Sequence, residues 1–184
     1  MTGRHTMWDG SRHVEVAVPV SGADNVMVPV IRAVVTDRSG DHILLQRRDA
    51  PVESVRGLLE LPGGRWLAGE SPAAAVTREV FEETGISLIQ VEGITEDRID
   101  DRRSVSTIRP LVVIAGTQGA FPATHTVLVA VGEGTPTPEP GSTTDVRWWS
   151  VADVRHELVT NRGGFVPSSW AALVAYVTML DSTI

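Results

Sequence analysis

The stretch that most constrains this chain is Gly64 to Ile86, GRWLAGESPAAAVTREVFEETGI. Glycine-rich sequence, Leu61-Pro62-Gly63-Gly64, leads into it, and a helix with both ends marked follows. Ser71 is a preferred N-cap, and Pro72 suits the first helical position, whose N–H has no helical partner to lose. Ala73, Ala74 and Ala75 are strong helix formers, and Gly85 can take the left-handed conformation that closes a helix. At about 100° per residue, Ala73, Val76, Val80 and Thr84 share one stripe that suits a core. Glu79, Glu82 and Glu83 share the stripe beside it. Glu79 and Glu83 are a like-charge i,i+4 pair, which costs an isolated helix about 0.2–0.5 kcal/mol, and Arg78 offsets only part of this. Two readings compete for this face. One is a solvated acidic surface. The other is a site for a hard cation, because clustered carboxylate oxygens suit Mg²⁺ or Mn²⁺, which in turn bind phosphates. The glycine-rich lead-in and the full spacing favour the second.

Gly64 is followed by five residues and Glu70, and seven more lead to Arg78-Glu79-Val80-Phe81-Glu82-Glu83-Thr84-Gly85-Ile86. This resembles the Nudix box, Gly-x5-Glu-x7-Arg-Glu-U-x-Glu-Glu-x-Gly-U with U apolar. All seven fixed identities are present, and Val80 and Ile86 fill the U positions. A chance match in such a chain has odds on the order of one in a million at ordinary residue frequencies. The likeness extends over roughly residues 28–180, through LELPGG before the box and HTVLVA and VRWWSVADV after it.

The resemblance implies an α/β protein, an α/β/α sandwich with a mixed central β-sheet. It implies metal-dependent hydrolysis of a nucleoside diphosphate linked to another moiety, with water attacking a phosphorus. Mg²⁺ or Mn²⁺ would be held by Glu79, Glu82, Glu83 and the backbone of Gly63. Glu82 and Glu83, with Arg78 orienting a glutamate, would form the catalytic group. Glu60 and Glu70 would be outer ligands. The LPGG form and the loop-rich C-terminal half slightly favour a nucleoside triphosphate substrate over ADP-ribose or a nucleotide sugar. A Nudix-fold nucleotide-binding or regulatory module with weak catalysis is the alternative of another class. The chain departs from the pattern in one place. Many relatives carry a Glu shortly before the tryptophan at Trp148, and here the stretch is Gly141-Ser142-Thr143-Thr144-Asp145. Glu139, Asp145 and Glu96-Asp97 are the candidate replacements.

Composition bounds the rest. The 184 residues suit one main domain with a real core. There is no cysteine, which removes disulfides, thiolate zinc sites and cysteine nucleophiles. All 16 basic residues are arginine, so lysine Schiff-base chemistry and the lysine phosphate loop are excluded. Phosphate contacts fall to arginine and backbone N–H groups. The net charge of −7 argues against a surface for nucleic-acid polymers. The N-terminus lacks the apolar run of a signal peptide. Residues 110–132 carry no Asp, Glu, Lys or Arg, but glycines and a proline in their middle fit two strands around a turn, not a membrane span. A cytoplasmic protein acting on a small nucleotide is the simplest reading.

Along the chain, residues 1–25 read as an extension, a loose arm over 1–12 and then an alternating strand over 13–20. Its apolar face needs a partner, which suggests a homodimer or a covered sheet edge. The domain proper spans 26–184. Strands are predicted over 26–36 and 42–48 around a turn at 37–41, with 49–60 a loop and 65–67 a short strand. After the box helix, 86–100 and 104–115 read as strands joined by DDRR, and 125–131 as another. Residues 132–144 read as a flexible loop, 146–149 as a strand, 151–158 as a helix capped by Ser150, and 167–180 as a final helix. Trp148 and Trp149 could stack on a base, although one of such a pair is usually core. His125 reads as a strand histidine with a satisfied hydrogen bond. Arg102 and Arg103 read as a solvated turn.

Overall fold

The computed structural model describes residues 2–8, 13–19, 27–49, 55–100, 103–116 and 123–182. Its centre is a pair of parallel strands, β3 (Val28–Thr36) and β11 (Ala123–Glu133). Around them run β4 (His42–Arg48), β10 (Val112–Gly116) and β12 (Thr143–Ser150), in the order β10-β11-β3-β4-β12. Short strands attach beside this path: β5 (Leu59–Glu60) on β4, β6 (Gly63–Arg65) on β3, and β7 (Ser87–Val91) on β11. One parallel pairing among antiparallel ones makes the sheet mixed, as expected.

Both faces of the sheet are covered, which is why β3 is buried continuously from Ile31 to Thr36. Ile31, Ala33, Val35 and Leu44 pack against Ala75, Val76 and Val80 of helix α1 (Pro72–Thr84). On the other face Val34, Ile43 and Leu45 pack with Val154 and Leu158 of α2 (Val151–Thr160) and Ala172, Leu173 and Tyr176 of α3 (Pro167–Asp181). Strand alternation sends successive side chains to opposite layers. This is the α/β/α sandwich.

The ends of α1 form as the residues dictate. The Ser71 side chain accepts from the Ala74 N–H, and Gly85 ends the helix at φ 68°. Its buried stripe is Ala75, Val76, Val80, Glu83 and Thr84; Ala73 is only half-buried. The stripe lies closer to the glutamates than the sequence suggests, because the glycine-rich β6 crosses beside them.

Several boundaries differ from expectation. The loop over 49–60 ends in a strand, since Leu59 and Glu60 are buried and pair with β4. The short strand sits at 63–65, not 65–67. The strand expected over 86–100 breaks at Glu92-Gly93 into β7 and β8 (Ile94–Arg98), and that over 104–115 into β9 (Ser104–Ile108) and β10. β8 and β9 form their own hairpin, which leaves the main sheet. The arm over 1–12 contains strand β1 (Thr2–Trp8), which pairs antiparallel with β2 (His13–Pro19). Residues 132–144 dock on the end of α1: Thr137 N–H donates to Thr84 O and Glu139 N–H to Glu83 O. They satisfy carbonyls a helix end otherwise leaves bare. Among the described residues no helix is long and apolar enough to cross a membrane.

Candidate active site

The site forms where α1 crosses β6, and two glycines make the crossing close. A Cβ at Gly64 would collide with the Glu79 carboxylate. A Cβ at Gly63, whose φ is 132°, would collide with Ile31 O and Arg32 Cα. The Gly63 N–H donates to Glu83 Oε2 at 2.9 Å. The carboxylates of Glu79 and Glu83 therefore meet consecutive residues of one strand, and this explains why the loop before the helix needs glycine at both positions.

Arg78 gathers the more exposed carboxylates. Its Nε donates to Glu70 Oε1 at 2.7 Å and its Nη2 to Glu70 Oε2 at 2.9 Å, a two-pronged pair. Its Nη1 donates to Glu79 Oε1 at 2.7 Å and to Glu82 Oε2 at 3.0 Å, and Nη2 also reaches Arg65 O. The Arg78 hydrogen bonds hold Glu70 below its ordinary carboxylate range, and Glu70 in turn raises Arg78. Glu70 also accepts from the Leu67 N–H. Arg78 thus contacts three glutamates, and Glu70 is tied to the loop and the arginine.

Glu83 sits in a different setting. It is 8% exposed, and burial, the largest cause, pushes its pKa up to about 7. Its Oε2 accepts from Gln46 Nε2 at 2.7 Å besides the Gly63 N–H. Its backbone carbonyl accepts from Thr143 Oγ1 at 3.0 Å. Sequence reasoning missed Gln46; the signal was one polar residue in the otherwise apolar run Ile43-Leu44-Leu45.

Glu60 is fully buried and ion-paired with Arg32 at 3.4 Å and Arg48 at 3.3 Å. Arg32 also donates to Leu61 O. Its two arginine partners bind Glu60 into the wall of the cleft, among the residues that Glu83, Gly63, Gly64, Arg65 and His125 also line. The cleft encloses about 380 Å³. His125 is not the satisfied histidine expected: its Nδ1 is buried with no hydrogen-bond partner, and burial lowers its pKa to about 4. Of the candidates for the absent Glu, Glu96 and Asp97 lie on β8, and Asp145 pairs with Arg47 and Arg147. Only Glu139 contacts the end of α1, through its backbone. Trp148 packs on the α1-side core and Trp149 on the other, with the Arg147 guanidinium 4.2 Å over the Trp149 ring. Arg103 pairs with Asp100 in an exposed turn, and Arg102 lies outside the described residues.

The donor chemistry suits Mg²⁺ or Mn²⁺: the carboxylates of Glu79, Glu82 and Glu83 and the Gly63 carbonyl are hard oxygen ligands. Among the described residues no three acidic or imidazole groups stand together as a ready cation cage. Glu79 and Glu82 are turned toward Arg78, and Glu83 toward Gln46 and Gly63. Glu82, about half exposed, has room to turn from Arg78.

Solved structures share this fold. A MutT NUDIX hydrolase from Burkholderia pseudomallei superposes with a TM-score of 0.60 at 21% identity, covering 82% of this chain and 98% of that one. The NUDIX domain of Shewanella oneidensis NrtR, solved with ADP ribose, gives 0.61 at 18% identity, covering 86% and 92%. In sequence, Nudix hydrolase 3 of Caenorhabditis elegans is 38% identical over 74 residues, 40% of this chain and 31% of that protein's length. The family model for the NUDIX domain matches residues 27–168. With the box helix, the glycine crossing and the mixed sheet all in place, the chain belongs to the NUDIX domain family.

Proposed function

We propose that this protein is a cation-dependent hydrolase of a nucleoside diphosphate linked to another moiety, with a nucleoside triphosphate favoured over ADP-ribose or a nucleotide sugar. The observation that supports it is the meeting of Glu79 and Glu83 with Gly63-Gly64. It holds two acidic side chains of one helix against backbone that has no side chain to block a phosphate. Glu79, Glu82, Glu83 and the Gly63 carbonyl would hold Mg²⁺ or Mn²⁺. When bound, the cation neutralises charge on the diphosphate oxygens. The protein's own part is to place the carboxylates, with Arg78 orienting them, and to accept the proton of the attacking water at Glu82 or Glu83. Arg48, about one-third exposed, and the exposed Arg65 both line the cleft and would be the arginines available to a phosphate.

The reaction class predicts a nucleoside monophosphate and a phosphorylated remainder, or pyrophosphate from a triphosphate. A panel of nucleoside triphosphates, ADP-ribose and nucleotide sugars, each with Mg²⁺ and with Mn²⁺, tests this. Turnover that survives exhaustive chelation would sink the cation requirement. The second reading, a binding or regulatory module, draws on the missing Glu before Trp148. Tight binding of a panel nucleotide without turnover would favour it.

The same reading divides the chain after residue 25 and places the protein in the cytoplasm. It also keeps a homodimer. β2 finds a partner in β1, so dimerisation is not needed to pair that strand. Light scattering of the full chain and of residues 21–184 checks the dimer; two monomeric masses would remove it.

A further inference from the structure

β4 carries a run of four buried residues, Ile43 to Gln46, through the middle of the sheet. Gln46 is the polar one and has no exposed surface. It alternates with Leu44, so its side chain faces the α1 layer. There its Nε2 donates to Glu83 Oε2 at 2.7 Å, while its Oε1 has no partner. A buried amide with one atom unpaired is a poor core residue, since a leucine or methionine fills similar space without an unpaired acceptor. What the amide does have is one short bond to a carboxylate of the proposed cation site.

The bond is selective. Gln46 and the Gly63 N–H both reach Oε2, and among the described residues no donor is bonded to Oε1. Thr143 Oγ1 and the Glu139 N–H hold the backbone carbonyl of the same residue. Glu83 is therefore fixed at both ends, with one carboxylate oxygen engaged and the other left to the cleft it lines.

We propose that Gln46 is a positioning residue for hydrolysis: with Gly63 it fixes Oε2 of Glu83, so that Oε1 is the oxygen presented to the cation and the water. This rests on the function proposed above. It predicts that Gln46 acts through Glu83 and not through the stability of the sheet.

The test is Gln46→Leu, with Gln46→Met as the second variant should the first fold poorly. On the best panel substrate, kcat should fall about 10-fold to 100-fold, the range for removing a partner that orients a ligand. KM should stay within about twofold. The second readout needs no cation. Melting temperatures of metal-free parent, Gln46→Leu, Glu83→Leu and the double variant form a cycle. Gln46→Leu should lower the melting temperature relative to its effect in the Glu83→Leu background by several degrees, because only there is no carboxylate left unsupported. Unchanged kcat, or the same thermal effect in both backgrounds, overturns the proposal. If the parent turns over and Gln46→Leu matches it, this inference alone fails. If the parent hydrolyses nothing on the panel, the functional reading fails and takes this inference with it.

Discussion

The two halves of the glutamate stripe meet at the neighbouring residues Glu82 and Glu83 and live in different settings. Around Arg78, the side chains of Glu70, Glu79 and Glu82 are 22%, 13% and 51% exposed and share one guanidinium. Around Glu83 there is no arginine in hydrogen-bond contact; an amide and a backbone N–H take its charge in a nearly dry setting. The same residue type is held by a guanidinium in direct contact on one side, and on the other by neutral dipoles in contact with the charge of Arg32 acting from further away. In the first half Glu82, half exposed, can exchange partners at low cost, because water and salt screen its ion pair. The dry half cannot, because an unsupported buried charge has nowhere to go.

The sharpest way to break this contrast is to neutralise each half. Glu82→Gln and Glu83→Gln should each cut turnover by roughly 100-fold to 10,000-fold, the range for losing a proton acceptor or its cation. The double variant should lose far less than the product of the two, because residues of one unit are not additive. Steady-state rates on the best panel substrate decide it. Single variants that hydrolyse at the parental rate would remove this helix from the active site.

Next in size is a pH effect of the dry half. Burial raises the Glu83 pKa from 4.5 to about 7 in the metal-free protein. A carboxyl raised on folding binds more protons when folded, so its contribution to stability falls as pH rises from about 4.5 to about 7 and is level outside that window. The metal-free parent should gain about 3 kcal/mol on Glu83→Gln between those limits as pH falls, by the shift of its carboxyl alone. Denaturant titrations of both proteins across pH 4.5 to 8 measure the difference. Parallel curves would mean Glu83 is solvated.

Arg78→Met tests the wet half. It leaves three carboxylates without their common partner, and we expect a loss of about 2 kcal/mol, a few degrees in melting temperature. Salt should shrink that loss, because the pairs are part-exposed. A loss unmoved by 1 M NaCl would place Arg78 in the dry class instead.

The smallest effect expected is stabilisation by the cation itself. At ten times its dissociation constant, Mg²⁺ or Mn²⁺ should raise stability by about 1.4 kcal/mol, seen as a small upward shift in melting temperature. Glu83→Gln should remove most of the shift and Arg78→Met should keep it. Equal shifts in all three would put the cation elsewhere.

Legibility followed the range of the interactions. The helix from Pro72 to Thr84 was readable because its cap, its proline and its closing glycine act within four residues. The turn at 37–41 and β4 at 42–48 were readable for the same reason. β5 was not, because two residues carry no periodicity and only pairing with β4 makes them a strand. The split at Glu92-Gly93 did have a local signal, since Gly93 turns the chain at φ 75°, but the hairpin it frees is defined by register, not composition.

By itself the sequence determined the box, its helix, the acidic stripe and the glycines at 63 and 64, since each is a local rule about backbone or spacing. It also determined that arginine, not lysine or cysteine, supplies the polar chemistry. Only the tertiary structure decided which glutamate is dry. Glu79, Glu82 and Glu83 are alike in sequence, and their difference comes from what crosses the helix: Arg78 on one side, Gln46 and Gly63 on the other. Those partners lie 37 and 20 residues from Glu83 along the chain. Dielectric and hydrogen-bond supply are properties of the packed layers, and no spacing rule carries them.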